Sequence, residues 1–341
     1  MSAVEQVREL YERYPCPSLT VGDDLILDLA LGIGMVARDK TLAGKRVLDA
    51  GCGTGHQLLG LASQYPKAHF TGMDLSRSSL DVAEELRERN GLTNVELVRG
   101  AIGGDGFEGP YDLIVMTGVL HCLDDPRAGL AWLAERLSPG GLMYLWLFHS
   151  FGEHQRLIDR ELVRLLSGGD TGEEGLSVVH RLGFGRSAGR YGTGTAPGAD
   201  PRDQDVLDAD AYLHPVMRTH RFGDAARLFE GLDGIGWVAL NGVNWDGGGK
   251  ILDLGHRHPA SPVFLSDADL FDDEELLARY AGLGVAERAA VMELRLAPTG
   301  FTIVAGAPEA ERLCESRISG NVLLRNRTTA PDGLAEPGGG G

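Results

Sequence analysis

The segment Val47-Leu48-Asp49-Ala50-Gly51-Cys52-Gly53-Thr54-Gly55 sets a carboxylate and three glycines ahead of a helical stretch. A glycine turn at the carboxyl end of a strand lets a ligand reach the backbone, and the following helix offers free N–H groups. The glycines are spaced G-x-G-x-G, not the G-x-G-x-x-G of a dinucleotide fold. Asp49 stands two residues before the first of them. A carboxylate there repels a pyrophosphate and suits a ligand that carries an ammonium and a sulfonium. Asp74 ends the next apolar segment, where its oxygens can accept from both hydroxyls of a ribose. These features together favour S-adenosylmethionine over NAD.

The elements that position these residues follow from the pattern of the chain. Arg46–Asp49, His69–Asp74, Val95–Arg99, Leu113–Thr117 and Leu142–Phe148 read as short buried strands. Helices are expected over Gln57–Gln64, Ser79–Asn90 (stopped by Gly91) and Leu130–Leu137. Strands alternating with helices mean a parallel sheet with right-handed crossovers. Ahead of them, residues 1–40 read as a helical cap, Val4–Tyr14 and Leu25–Val36, broken at Pro15-Cys16-Pro17. Residues 41–149 would form the core, completed by 222–241 and 299–307, with a helix at Phe222–Phe229 and strands at Trp237–Asn241 and Phe301–Ala305. Residues 150–221 and 242–298 are expected to be mainly helical insertions that cover a substrate, the second with helices near Glu274–Tyr280 and Ala286–Leu294. Residues 308–341 are a tail whose Gly/Pro-rich end is expected to lack order.

On these motifs the sequence resembles the class I S-adenosylmethionine-dependent methyltransferases, strongly over about residues 44–149 and weakly over 222–241 and 299–307. The resemblance implies a Rossmann-like α/β fold: a seven-stranded, mostly parallel sheet with helices on both faces and an antiparallel last strand. It implies that Asp49, Gly51, Cys52 and Gly53 hold the methionine part, and Asp74 with Leu75 the ribose. Tyr111-Asp112-Leu113-Ile114-Val115 resembles the fourth strand of the family, with Thr117 facing the cofactor, and Leu137-Ser138-Pro139-Gly140-Gly141 the turn into the fifth. Many members carry an Asp after the third strand to bind the adenine amine. Here the stretch reads Arg99-Gly100-Ala101-Ile102, leaving backbone near Ala101 and Ile102, or Asp105, to read that edge. Tyr11-x-x-Tyr14-Pro15-Cys16-Pro17 resembles a segment ahead of the sheet in some bacterial methyltransferases. Its tyrosine faces could cover a sulfonium, or simply pack the first helix on the core.

Methyl transfer from a sulfonium is an in-line displacement, so positioning and exclusion of water carry much of the catalysis. A base is needed only where the nucleophile arrives protonated. His121, after the fourth strand, and His149, after the fifth, are the catalytic candidates, with pocket shaping as the alternative role for His121. His154, Tyr212, His214 and Asn241 are candidate substrate contacts. Arg181, Arg186, Arg190, Arg218 and Arg221 could clamp an acidic substrate or pair with surface carboxylates.

The formal net charge of −17 and the lack of a basic stripe argue against nucleic acid as a partner. No apolar run is long enough to span a bilayer, and the first residues lack the apolar block of a secretory signal, so a cytoplasmic location without membrane contact is expected. The four cysteines show no paired spacing, and His256 and His258 lack further ligands, so no metal is expected. Exposed apolar faces in the insertions are compatible with a homodimer. The expected activity is methyl transfer from S-adenosylmethionine to a small molecule of specialised metabolism, with S-adenosylhomocysteine as product. The alternatives are aminocarboxypropyl transfer or cyclisation of the cofactor, a protein methyltransferase, and a module that binds the cofactor without turnover.

Overall fold

The computed structural model describes residues 2–17, 33, 42–105, 107–185, 201–245, 248–251 and 265–310. The expected helix over Leu25–Val36 (apart from Ile33), His256, His258, Arg186, Arg190 and residues 311–341 of the tail lie outside the described residues.

The first helix, α1 (Ala3–Arg13), opens with a reciprocal cap: Glu5 N donates to Ser2 Oγ at 3.3 Å and Ser2 N donates to Glu5 Oε2 at 2.8 Å. The core then alternates as the sequence predicts: β1 (Arg46–Ala50), α2 (His56–Gln64), β2 (His69–Asp74), α3 (Arg77–Arg89), β3 (Val95–Arg99), β4 (Tyr111–Thr117), α4 (Pro126–Ala134) and β5 (Leu137–Phe148). Val47, Leu48 and Ala50 of β1 are all buried, the near-continuous apolar run of a strand covered on both faces. α4 begins earlier than its apolar residues suggest, because Asp125 caps Ala128 N at 2.9 Å and Pro126 occupies the first turn. Ser138-Pro139-Gly140-Gly141 is not a turn into β5 but part of it. Tyr111 pairs with Leu137 and Leu113 with Leu142, so the extra residues form an irregular bulge within the strand.

Beyond β5 come α5 (His154–Leu166), α6 (Glu173–Arg181), α7 (Pro201–Leu213), α8 (Phe222–Leu228), β6 (Trp237–Trp245), β7 (Gly248–Ile251), α9 (Glu274–Ala281), α10 (Val285–Leu296) and β8 (Gly300–Gly306). The sheet order is β3-β2-β1-β4-β5-β8-β6-β7. β1 to β5 pair in parallel, and β8 inserts antiparallel between β5 and β6. Among the described residues the sheet therefore has eight strands where seven were expected. The extra one is β7, a short antiparallel hairpin partner at the β6 edge that belongs to the second insertion.

The two insertions attach differently. Leu10 of α1 shares an apolar cluster with Val163, Leu176, Val179, Ala209 and Tyr212, so the N-terminal helix and the first insertion make one cap with its own small core. Leu270, Tyr280, Ala289 and Met292 of the second insertion join the main core of the sheet instead.

Candidate active site

The sequence brings β1 to an end in a left-handed backbone, with φ of +91° at Gly51 and +54° at Gly53. A Cβ at Gly53 would collide with the carbonyl oxygen of Cys16, so only glycine lets the Pro15–Pro17 segment lie against the turn. Thr54 N donates to that same carbonyl at 3.0 Å. The free N–H groups expected here are largely engaged: Gly51 N and Cys52 N donate to Met73 O, and Gly53 N donates to Asp74 Oδ2 at 2.8 Å. The turn thus offers a ligand close approach, and the polar atoms it presents belong to carboxylates.

Asp49 is buried and its Oδ1 has no hydrogen-bond partner among the described residues. Burial, with the nearby Asp74 charge second, pushes its carboxyl up to about 7. Asp74 is also raised, chiefly by burial, although Ser76 N (2.9 Å) and Gly53 N each donate to one of its oxygens. With Leu75 N–H as a third backbone donor, the carboxylate still has accepting capacity left for a ligand hydroxyl. An unpaired buried carboxylate oxygen beside a glycine turn fits a cationic group. Asp74 one strand away fits a diol.

From this turn a cavity of about 670 Å³ runs along the carboxyl edge of the sheet, within the size range of small-molecule sites. Its far end is aromatic. Tyr144, Trp146 and Phe148 line it because alternate residues of β5 face one side. The His121 ring lies 4.4 Å from that of Phe148 and 6.3 Å from that of Trp146, and Trp146 and Phe148 meet edge to face at 4.9 Å. His121 is 1% exposed and its Nδ1 has no hydrogen-bond partner among the described residues. Burial first, then the neighbouring His214, holds its pKa well below the usual 6.5, so the imidazole is neutral near pH 7. Leu207, Asp210 and His214 reach the cavity from one face at the end of α7, spaced as a helix requires. Tyr11 Oη donates to Asp210 Oδ1 at 2.8 Å, tying the N-terminal helix to α7 at the cavity wall.

Of the residues singled out in the sequence, Tyr11, Asp49, Gly51, Cys52, Gly53, Asp74, Thr117, His121, His214 and Asn241 line this one cavity. Thr117 Oγ1 donates to Gln57 Oε1 at 2.8 Å. The others are elsewhere. His149 follows Phe148 by one residue and so faces the opposite side of the sheet. There its ring nitrogen meets Glu293 Oε1 at 3.1 Å among Phe151, Phe222 and Phe301. Tyr14 and Tyr212 pack in the cap cluster, and Tyr212 Oη donates to Phe184 O at 2.6 Å. His154 is exposed at the start of α5. Leu75 O accepts from Arg99 Nε, Ile102 packs on the main core, and neither they nor Ala101 line the cavity; Asp105 is exposed. Arg218 donates to Leu123 O and Asp124 O, and Arg221 pairs with Glu293 at 2.6 Å, so neither clamps a substrate.

Sequence reasoning missed Gln57, Tyr144, Trp146, Phe148, Leu207 and Asp210. The aromatic alternation at positions 144, 146 and 148 was the available signal for three of them.

Residues 48–143 match a family model described as a methyltransferase domain. With the strand order and the glycine turn, this part of the chain is a class I S-adenosylmethionine-dependent methyltransferase domain, and S-adenosylmethionine is its cofactor. An uncharacterized protein from Synechococcus sp. is 36% identical over 208 residues, 57% of this chain and 48% of that one. A malonyl-[acyl-carrier protein] O-methyltransferase from Halalkalibacterium halodurans is 35% identical over 119 residues, 34% of this chain and 42% of the relative. The structure of PKMT2 from Rickettsia typhi in complex with AdoHcy superposes with a TM-score of 0.54 at 19% identity, covering 91% of this chain and 56% of that one, a likeness of fold. The chain spans less than half the length of those curated relatives. Among the described residues no helix is long and apolar enough to cross a membrane, and no group of three or more His, Cys, Asp or Glu could hold a metal ion.

Proposed function

We propose that this chain methylates a hydroxyl of a small-molecule acceptor, using S-adenosylmethionine. The observation that carries this reading is the continuity of one cavity, from the unpartnered Asp49 Oδ1 to the unpartnered His121 Nδ1. Asp49 would hold the ammonium of the cofactor, Asp74 the ribose hydroxyls, and Tyr11 and Cys16 the open side of the site. When bound, the cofactor supplies an electrophilic methyl group on a sulfonium. Trp146 and Phe148 exclude water from the acceptor end, and Tyr11, tied to Asp210, closes its mouth.

His121 takes the acceptor's hydroxyl proton at Nδ1 as the oxygen attacks, with the adjoining ring nitrogen protonated in that tautomer. Its low basicity means it gives that proton up readily, to water that re-enters the cavity when the product leaves. The similarity to an O-methyltransferase supports an oxygen acceptor. Specialised metabolism, a cytoplasmic location and a homodimer remain part of the same proposal.

Calorimetric titration with S-adenosylmethionine and S-adenosylhomocysteine tests the cofactor half. Both should bind, and Asp74→Ala should lose both. Mass spectrometry of an acceptor screen tests the reaction: S-adenosylhomocysteine must accumulate. Accumulation of methylthioadenosine instead would mean that the aminocarboxypropyl arm is transferred, and would overturn methyl transfer. With a working acceptor, His121→Phe should lower kcat about a hundredfold.

A further inference from the structure

We propose that the acceptor end selects an uncharged, planar molecule by a hydrogen bond from His214 Nε2–H to a hydroxyl or carbonyl oxygen beside the methylated position. This rests on the methyl-transfer reading and adds the substrate's chemical class.

The tautomer follows from the backbone. Val216 N donates to His214 Nδ1 at 3.2 Å, so that nitrogen presents its lone pair and the ring proton sits on Nε2. Nε2 is buried and has no hydrogen-bond partner among the described residues, and His214 is one of the residues that line the cavity. A buried donor left unsatisfied is costly, and a ligand oxygen would recover that cost. The imidazole does not answer its burial by charging: desolvation, against a smaller opposing effect of Asp210, pushes its pKa down to about 4.

The ring is also fixed. Arg160 donates to Ala211 O at 2.7 Å and to His214 O, clamping the carbonyls where α7 ends. The Tyr11 ring lies 5.5 Å from it.

The surroundings define what the donor meets. Asp210 is the carboxylate nearest this end, and Tyr11 Oη already donates to it. Among the described residues lining the cavity, Lys250 is the single Lys or Arg, and it pairs with Asp269 at 2.6 Å. An anionic acceptor would enter beside Asp210, and the nearby Arg160, which is not among the lining residues, spends its donors on the Ala211 and His214 carbonyls. A protonated amine would meet a donor, not an acceptor, at His214. His121, Trp146 and Phe148, whose rings meet tilted or edge to face, form one aromatic wall against which a flat ring can pack.

The test uses the full chain saturated with S-adenosylhomocysteine and three probes: catechol, benzoate and benzylamine. Calorimetry should show catechol binding more tightly than either charged probe. His214→Phe, which keeps a ring but deletes the donor, should weaken catechol about tenfold, and His214→Gln, which restores an N–H, should recover to within threefold. S-adenosylhomocysteine affinity should be unchanged in both. Nitrogen-15 NMR of the histidine side chains should show His214 as the neutral Nε2–H tautomer at pH 7, with that signal moving on catechol addition.

The proposal is overturned by tighter binding of benzoate or benzylamine, by no catechol binding to the S-adenosylhomocysteine complex, by full catechol affinity in His214→Phe, or by a charged or Nδ1–H ring. A wild-type chain that fails to bind S-adenosylhomocysteine, while His214 keeps the Nε2–H tautomer, would instead overturn the methyl-transfer reading.

Discussion

The two ends of the cavity are made of different material. At the cofactor end a short stretch of backbone, Asp49 to Gly55, does most of the shaping, and Asp74 joins it from the neighbouring strand. At the acceptor end the wall is assembled from side chains far apart in sequence: His121 after β4, alternate residues of β5, the end of α7, and Asn241 and Thr302 on β6 and β8. The first end is set by conformations that only glycine tolerates. The second is set by which way strands and helices happen to face after packing. Substitutions should therefore fail abruptly at one end and by degrees at the other.

The largest effect is expected at Gly53. Alanine there must adopt a positive φ and push against the Cys16 carbonyl, which is backbone and cannot swing away. Gly53→Ala should weaken S-adenosylhomocysteine about a hundredfold, roughly 2.7 kcal/mol, while circular dichroism stays native. A variant with normal affinity would show that the glycine turn is not the shaping element.

Glu293→Gln should cost about 2 kcal/mol of stability, since its carboxylate accepts from Phe222 N at 2.6 Å, from Arg221 and from the buried His149. These bonds also hold its carboxyl below the usual range despite burial. The substitution tests whether His149 belongs to the frame: cofactor affinity should stay within twofold, and a large loss of affinity would put the cluster back into the site.

Asp49 gives a smaller effect with a pH signature. Its folded-state pKa of about 7 lies above the unfolded value of 3.8, so the folded chain binds the extra proton between them. This group's contribution is present at low pH and is lost as pH rises towards 7, the reverse of a salt-bridged aspartate. Ligand binding runs the other way. An ammonium needs the ionised form, so cofactor affinity should rise with pH and level off above about 7. Asp49→Asn should weaken S-adenosylmethionine about tenfold at pH 8 and flatten that rise. A wild-type affinity independent of pH would separate Asp49 from the ammonium.

What the sequence made legible divides along the same line. The core alternation and the glycine turn could be read because each depends on residues within a few positions of one another. The eighth strand could not, since Gly248–Ile251 carries no apolar pattern of its own and is recruited by the β6 edge. His149 misled because a histidine at the carboxyl end of β5 has the right type and the wrong parity; Phe148 takes the inward face. Tyr212 misled by helical phase, with Asp210 and His214 on the cavity side and the tyrosine against Phe184. Neither error concerns chemistry. Both come from not knowing which face of an element the fold turns inward.

The smallest effect should come where the two ends are joined. Tyr11 is held beside Asp74 by its backbone, since Ser76 Oγ donates to Tyr11 O at 3.0 Å, and it reaches the acceptor wall through its hydroxyl on Asp210. Burial and the Asp210 charge hold that phenol well above its usual pKa, so it stays a donor throughout the range where the chain is folded. Tyr11→Phe keeps the ring against His214 and removes one hydrogen bond worth about 1 kcal/mol. S-adenosylhomocysteine affinity should change less than threefold, while backbone amides in the last turn of α7 should exchange about fivefold faster. Faster exchange would mean that the hydroxyl is what holds the acceptor wall to the N-terminal helix. Unchanged exchange would leave that task to the apolar cluster around Leu10 and Val179, and the two ends of the cavity would then be coupled by packing alone.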